Sequence, residues 1–554
     1  MLVKVFNNTG IDDWKEYSIS HNYYYQHLII EKAEVLKPDG SKVPAETNGG
    51  EIVFTNLQPD DAIHLSYRLE NKSYGKLLGQ FWDQFFFNSF IPSLTSKYQI
   101  LAAKSVKFNA VVNNSNMQPV KKKAGDFILH TWQTTNEEAI RWEYYMPPLV
   151  DVAKVLHIST LPDWNFISSW YADLITSKVK ADYEVKQVVK EIFPEGAGKF
   201  SEEEKAKRIY EYVSQKIAYS SIPFRQGAYV PQKASKTINT QLGDCKDVST
   251  LYVSLAKEVG LDANIVLVET KDNGEKDMLL PSIEFNHAIV NVVFDQKEHF
   301  IELTNDNNPF NVSAPYLDGA MTLPINGENT KLQALDGKNA SPVQVIRKVK
   351  VSLDNRNITV KVDNIKTSSK AAYMRSSYKN LNRKSMRQTM TSAISSDYNN
   401  KVKLIDLKFQ NLDNISDSVV YKYSYTVKNE AIKINDMLLL KVPWIDGITS
   451  LDFLGDDDRK YPFNFWRYKN ADHYKQTITI NPPAGKHVFE VPKPENFAYK
   501  GLKYKSYYKR NGDTVTGVRE LFYDADVFTK EEYPQLKRFF EKVSEADERY
   551  VGYR

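Results

Sequence analysis

The stretch Gly243-Asp244-Cys245-Lys246-Asp247, running on into Val248, Leu251, Tyr252, Leu255 and Val259, decides the reading of this chain. Those five apolar positions recur at helical spacing, and Gly260 follows the last of them, as a helix C-terminus favours. Asp244 is a plausible N-cap, so Cys245 falls in the first turn of the predicted helix. Unpaired backbone N–H groups there, with the helix dipole, stabilise a thiolate and can hold a developing oxyanion. Gly243 lets a neighbouring backbone or a substrate approach closely. Cys245 is the only cysteine in 554 residues. A lone cysteine is more often a small buried hydrophobe. As a nucleophile, it needs a base.

Outward from this helix the pattern stays helical upstream. Val185, Val188, Val189 and Ile192 share one face, and Ser201 with Glu204 forms a capping-box pattern before Ile209, Tyr212, Val213 and Ile217. Downstream it turns to strands: Ile265 to Val268, Ala288 to Val293 and Phe300 to Leu303. Helices followed by an antiparallel sheet predict an α+β domain. His287 opens the second strand, and a two-residue turn at Asp295-Gln296 or Gln296-Lys297 would make a hairpin with Phe300 to Thr304. Either turn pairs residues whose numbers sum to an odd value, so His287 and Glu302 project from the same face. In one of these registers Thr304 lies opposite His287 and Glu302 is a diagonal neighbour at roughly 7–8 Å. Glu302 could then orient the imidazole as the third member of a nucleophile–base–orienter set. Asp306 and Asn305 remain alternatives.

The order Gly-Asp-Cys-Lys-Asp at 243–247, Phe285-Asn286-His287 on a strand, and Glu302-Leu303-Thr304 resembles the transglutaminase-like superfamily of papain-like thiol enzymes. Ile222-Pro223-Phe224 and Gly227-Ala228-Tyr229-Val230-Pro231 are similar to the lead-in to that cysteine. The resemblance covers about residues 180–310. The flanks resemble β-rich domains that accompany this core in bacterial envelope proteins: an uncharacterised N-terminal domain and a C-terminal β domain. It implies Cys245 as nucleophile, His287 as base and then acid, and Glu302 as orienter, with Gly243, Asp244 and Asp247 in support. It implies no cofactor and no metal, a protein or peptide substrate, and a secreted or periplasmic location. Two positions depart from the family pattern. Glu302 stands where an aspartate in a Leu-Asp-Pro-Thr context is usual, and Arg225-Gln226 put a charge near the expected cleft where small residues are common. Asn239, Gln241 and Gln232 are candidate oxyanion donors.

At roughly 150 residues per domain, this length suggests three or four domains. The boundaries read as a β-rich region at 1–170, the thiol core at 171–316, a Gly- and Asn-rich linker at 317–342, and a β-rich region at 343–554 that could divide in two. The flanks are expected to be β-sandwich-like. A polar, helical insertion is expected at about 369–395. Phe81-Trp82 and Phe85-Phe86-Phe87 read as core or inter-domain packing, with a ligand platform or a membrane-facing patch as alternatives.

Composition narrows the function. Lys and Arg number 73 against 69 Asp and Glu, a net charge of +4. So even a balance argues against nucleic-acid binding. One cysteine excludes an internal disulfide framework and any multi-thiolate metal site, and no HExxH pair occurs among nine histidines. No apolar run is long enough to span a membrane. Met1 to Phe6 lacks the apolar run of a signal peptide and resembles a strand. Hydrolysis of protein or peptide amides through a thioester is the leading expectation. The alternatives are protein crosslinking, a non-catalytic envelope protein whose β domains bind polysaccharide or protein, and an envelope assembly factor.

Overall fold

Aspartate and serine acceptors set where the central helices begin. Asp163 accepts from Phe166 N at the head of Trp164–Thr176, Asp182 does the same for Tyr183–Ile192, and Ser201 with Glu204 closes a capping box on Glu202–Lys216. A second capping box, Asp244 with Asp247, opens Cys245–Glu258. Each such cap satisfies an otherwise orphaned N–H and contributes about 1 kcal/mol. The computed structural model describes the chain except residues 22–25, 73–74, 221–228, 311, 313, 327–329, 337–341 and 416–417.

The cysteine helix is the centre of this core. Every residue from Cys245 to Ala256 is buried. It packs against the other helices on one side and the sheet on the other, which is why its sequence is apolar over more than one face. Gly260, at φ +81°, ends it in the left-handed conformation. The sheet is antiparallel, with Asp262–Glu269 between His287–Phe294 and Met321–Pro324. Lys297–Ile301 lies beyond the histidine strand and Gln333–Ala334 beyond the other edge. Two parts of the expected linker at 317–342 are therefore strands of the core. Met321–Pro324 pairs with Val266 to Glu269, burying Leu323 and covering a sheet edge that would otherwise expose unpaired backbone groups. The hairpin turns at Asp295-Gln296, both at positive φ, as a two-residue turn requires. Val290 pairs with Ile301 and Phe294 with Lys297.

The flanks are β-rich. In the N-terminal region Gln26–Leu36 pairs with Ala62–Asn71, Ser93–Ala103 with Phe127–Glu137, and Trp82–Phe86 and Asn109–Asn113 flank Val155–Ser159. Phe81, Phe85 and Phe87 pack with Trp132, Leu156 and Ile158, whereas the Trp82 indole donates to Glu284 of the core at 3.0 Å. The C-terminal region holds an eight-stranded sheet in which one pair, Gln344–Asp354 with His473–Asn481, is parallel. The insertion is helical, Ser368–Tyr378 and Arg383–Ser395, and shares a core with that sheet and with the strands Met437–Lys441 and Tyr550–Tyr553. No described helix is long and apolar enough to cross a membrane.

Candidate active site

Cys245 is the first residue of its helix, directly after the N-cap Asp244. The approach is tight: a Cβ on Gly243 would lie 2.9 Å from the Asp247 Cβ and 3.2 Å from Thr237 Cγ2. Asp247 accepts from the backbone N–H of Asp244 at 3.3 Å, and from the backbone and side-chain amides of Gln232 at 2.7 and 2.9 Å. Its carboxylate thus ties the segment before the helix to the first turn. Gln232 spends its amide there, and Asn239 and Gln241 are exposed. Lys246 is buried and its ammonium pairs with Asp244. Burial pushes the Asp244 carboxyl up, and Lys246 opposes that.

His287 begins its strand and is held from behind. Asn286 exchanges two hydrogen bonds with Thr270, at 3.0 and 2.7 Å. The Ser249 hydroxyl of the cysteine helix donates to Ala288 O at 3.4 Å, joining helix and strand next to the imidazole. The hairpin adopts the register in which Thr304 lies opposite His287, and Glu302 reaches the ring diagonally: Nε2 to Oε2 is 2.7 Å. Nδ1 is the ring nitrogen left over, and the nearby Cys245 thiol helps to raise the imidazole pKa.

The Glu302 carboxylate is saturated. Besides His287 it accepts from the Thr304 N–H at 2.7 Å, the Thr304 hydroxyl at 2.6 Å and the Tyr316 hydroxyl at 3.3 Å. Asp306 accepts instead from Asn307, as does Asn305. The Tyr316 ring also stands edge-on to the imidazole, with centroids 6.2 Å apart. Tyr316 carried no sequence signal for this site, and Lys246, part of the motif around Cys245, was given no role there. Tyr316 lies fourteen residues beyond Glu302 with no periodicity joining them. Tyr171 is another such residue. It is fully buried, its hydroxyl has no partner, and burial together with the nearby Cys245 raises its pKa far above the ordinary phenol value.

Burial alone would lower the His287 pKa, but the Glu302 charge, the hydrogen bond the ring donates to Glu302 and the nearby Cys245 outweigh it, and the net shift is up, to about 10. Burial alone would raise Glu302, but His287 and the Thr304 donors bring it down to about 2. The pair is therefore imidazolium and carboxylate near neutrality. It is also enclosed: Cys245 is 3% exposed, His287 8% and Glu302 3%. Residues 222–228 of the lead-in lie outside the described residues. Tyr229 is described and packs on Trp170, centroids 6.0 Å apart. Among the described residues no three His, Cys, Asp or Glu side chains converge as a metal-holding group.

Comparison with known families gives three matches along the chain. Residues 189–303 match the transglutaminase-like superfamily. Residues 51–141 and 435–551 match two domains of unknown function with solved structures, DUF3857 and DUF3858. Among solved structures, one described as a "putative protease" from Parabacteroides distasonis ATCC 8503 superposes with TM-score 0.66 at 14% identity, over 100% of this chain and 94% of that one. Another, described as a "putative cysteine protease" from Cytophaga hutchinsonii, has 11% identity over 41% of this chain and 78% of that one, with TM-score 0.18. The first match shows a shared three-region fold. No curated protein matches the chain.

Proposed function

We propose that this chain, whose residues 189–303 belong to the transglutaminase-like superfamily, is a thiol acyl-transfer enzyme that hydrolyses amide bonds in proteins or peptides. One observation carries the reading: the His287 imidazole is hydrogen-bonded to Glu302 at 2.7 Å, and the Cys245 thiol, at a helix N-terminus, is near enough to that ring to raise its pKa. The His287 imidazolium holds the thiol proton, and the Cys245 thiolate attacks the amide carbonyl. The S–C bond forms as the carbonyl π pair moves onto oxygen, where first-turn backbone N–H groups receive it. His287 protonates the leaving nitrogen and the C–N bond breaks, leaving a thioester and a free amine. Water, deprotonated by His287, then cleaves the thioester to a carboxylic acid and restores the thiol. Glu302 holds the ring orientation and stabilises its charge. The description "putative protease" carried by the Parabacteroides distasonis structure agrees with hydrolysis. An amine in place of water would give crosslinking instead. We place the enzyme outside the cytoplasm, as the resemblance of its flanks implies.

The test is labelling by a thiol-directed electrophile across pH, which in a single-cysteine chain reports one site alone. Cys245 should react faster than an unfolded cysteine at neutral pH, and His287→Ala should abolish the excess. A Cys245 no more reactive than free cysteine and indifferent to His287→Ala would sink the reading. That result would favour a second one, supported by the 3% exposure of Cys245: a non-catalytic core scaffolding β-rich binding domains.

A further inference from the structure

One line of residues crossing the strands of the eight-stranded sheet, on its buried face, is polar. The register sets Ser506 opposite Arg519, Arg519 opposite Gln476, Gln476 opposite Arg347, Arg347 opposite Asn364, and Asn364 opposite Tyr421. All six are buried. The next row on the same face is Gly517, Ile478, Val349, Val362 and Tyr423, so the polar row interrupts an otherwise largely apolar surface.

The two arginines of this row are satisfied differently. Arg519 makes a two-pronged pair with Asp547 at 2.7 and 2.6 Å, and Tyr504 donates to the same carboxylate at 2.8 Å. Arg347 pairs with Asp446 through Nη2 and reaches Ile445 O through Nη1 at 3.4 Å, but its Nε–H has no partner. Beside it, Asn364 donates to the Tyr421 hydroxyl at 2.9 Å while its Oδ1 has no partner. Arg347 is 4% exposed and Asn364 1%. A buried unmatched polar group costs about 1–3 kcal/mol, so a donor and an acceptor left unmatched side by side call for an explanation.

Both residues line a cavity of about 200 Å³ between the sheet and the two helices of the insertion. Tyr421, Tyr423 and Tyr425, stacked at 5.9 and 6.0 Å, form part of its wall. Three cations face it or stand beside it: Arg347, Lys366 from the neighbouring strand, and Lys370 from the first helix. Two carboxylates answer them: Asp446, 55% exposed at the rim, and Asp397 at the end of the second helix. One positive charge is left over. Burial lowers the Lys366 pKa to about 8, helped by repulsion from Arg347, so the cations already press on one another.

We propose that this cavity binds a small monocarboxylate carrying a hydrogen-bond donor next to its carboxylate. The carboxylate accepts from Arg347 Nε and Lys366 Nζ and cancels the excess charge. The adjacent hydroxyl or amide N–H donates to Asn364 Oδ1. The tyrosine rings offer an apolar wall for the rest of the molecule. A hydroxy acid, such as a uronic acid, and an N-acylated amino acid share this chemistry. The site is independent of the thiol site and stands whether or not Cys245 is catalytic.

Titration calorimetry on the full chain with D-glucuronate, N-acetylglycine and, as the uncharged control, D-glucose tests it. At least one carboxylate should bind at neutral pH, and which one does identifies the source. Glucose should bind at least about tenfold more weakly, the loss of one charge-assisted hydrogen bond. Lys366→Met, with its fold checked by thermal unfolding, should lose about tenfold. So should the wild-type chain at about pH 10, where Lys366 is neutral. Besides the cations and carboxylates named above, the titratable groups lining the cavity are Tyr373 and Tyr378 from the first helix and Tyr421, Tyr423 and Tyr425 from the sheet, so protection of Lys366 from an amine-directed reagent by the bound carboxylate provides a further wild-type check. Binding of neither carboxylate overturns the proposal. So does equal binding of glucose, or an affinity unmoved by both Lys366→Met and high pH.

Discussion

The thiol site and the polar row of the C-terminal sheet are both buried, both charged, and built in opposite ways. At the thiol site the acceptor is saturated: Glu302 takes four hydrogen bonds from His287, Thr304 and Tyr316. The imidazole, charged and only 8% exposed, is matched by that carboxylate at 2.7 Å. In the polar row, Arg519 is matched just as fully, yet Arg347, two strands away, keeps an unpaired N–H. Burial of charge therefore has two meanings in this molecule. Where partners are complete, it fixes a geometry; where they are incomplete and a cavity adjoins, it points to a ligand.

Four outcomes would break or sharpen this contrast. The largest is His287→Ala, expected to lower hydrolysis by about 10²–10⁴-fold, read as kcat/KM, and to abolish the excess thiol reactivity while Cys245 remains present, read by labelling rate. Next is Asp547→Ala, which strands Arg519 in the core. It should cost about 3–5 kcal/mol in denaturant unfolding and leave Cys245 labelling unchanged. An unaltered midpoint would show that full pairing is not what stabilises the row. Third is Glu302→Gln, expected to cut turnover by about 10–100-fold, as loss of an orienting partner does. It should also move the alkaline limb of the pH profile down from about 10 toward the ordinary histidine value of 6.5. A limb that stays in place would detach Glu302 from His287. Smallest is Tyr316→Phe, which removes the longest Glu302 bond and should cost about 1 kcal/mol of stability with a minor rate effect, measured by thermal unfolding and kcat.

The same pair gives a stability signature with pH. His287 is raised from 6.5 to about 10, so its contribution is complete below pH 6.5 and is lost as pH rises through 10. Glu302 is lowered from 4.5 to about 2, so its contribution is complete above pH 4.5 and is lost as pH falls through 2. Both are whole only between about pH 4.5 and 6.5, and the Glu302→Gln chain should lack that maximum.

Much of the core was legible because its signals are local. Caps at Ser201 and Asp244 needed only residues three apart. The shared face of His287 and Glu302 followed from turn length alone. Other parts were hidden by distance along the chain. Met321–Pro324 looked like linker because its strand partner lies more than fifty residues upstream. The alternation at Val349, Val351 and Leu353, and at Ile358, Val360 and Val362, was visible. Extended by two residues, it reaches Arg347 in one direction and Asn364 in the other, both on the core face. Their pairing depends on strand order, which alternation does not carry.

The sequence by itself determined which residues share a face, where helices start, and that one cysteine heads a helix followed by a histidine and an acid on a hairpin. Those are properties of backbone geometry over a few residues, where side-chain direction follows from period and turn length. Only the tertiary structure decided that the thiol lies near the imidazole, that Glu302 rather than Asp306 takes the ring, and that Tyr316 closes the acid. It alone assembled Arg519, Gln476, Arg347 and Asn364 into one row through a parallel strand pair. Those contacts come from the packing of elements far apart in the chain, whose relative positions are set by the burial of all of them together.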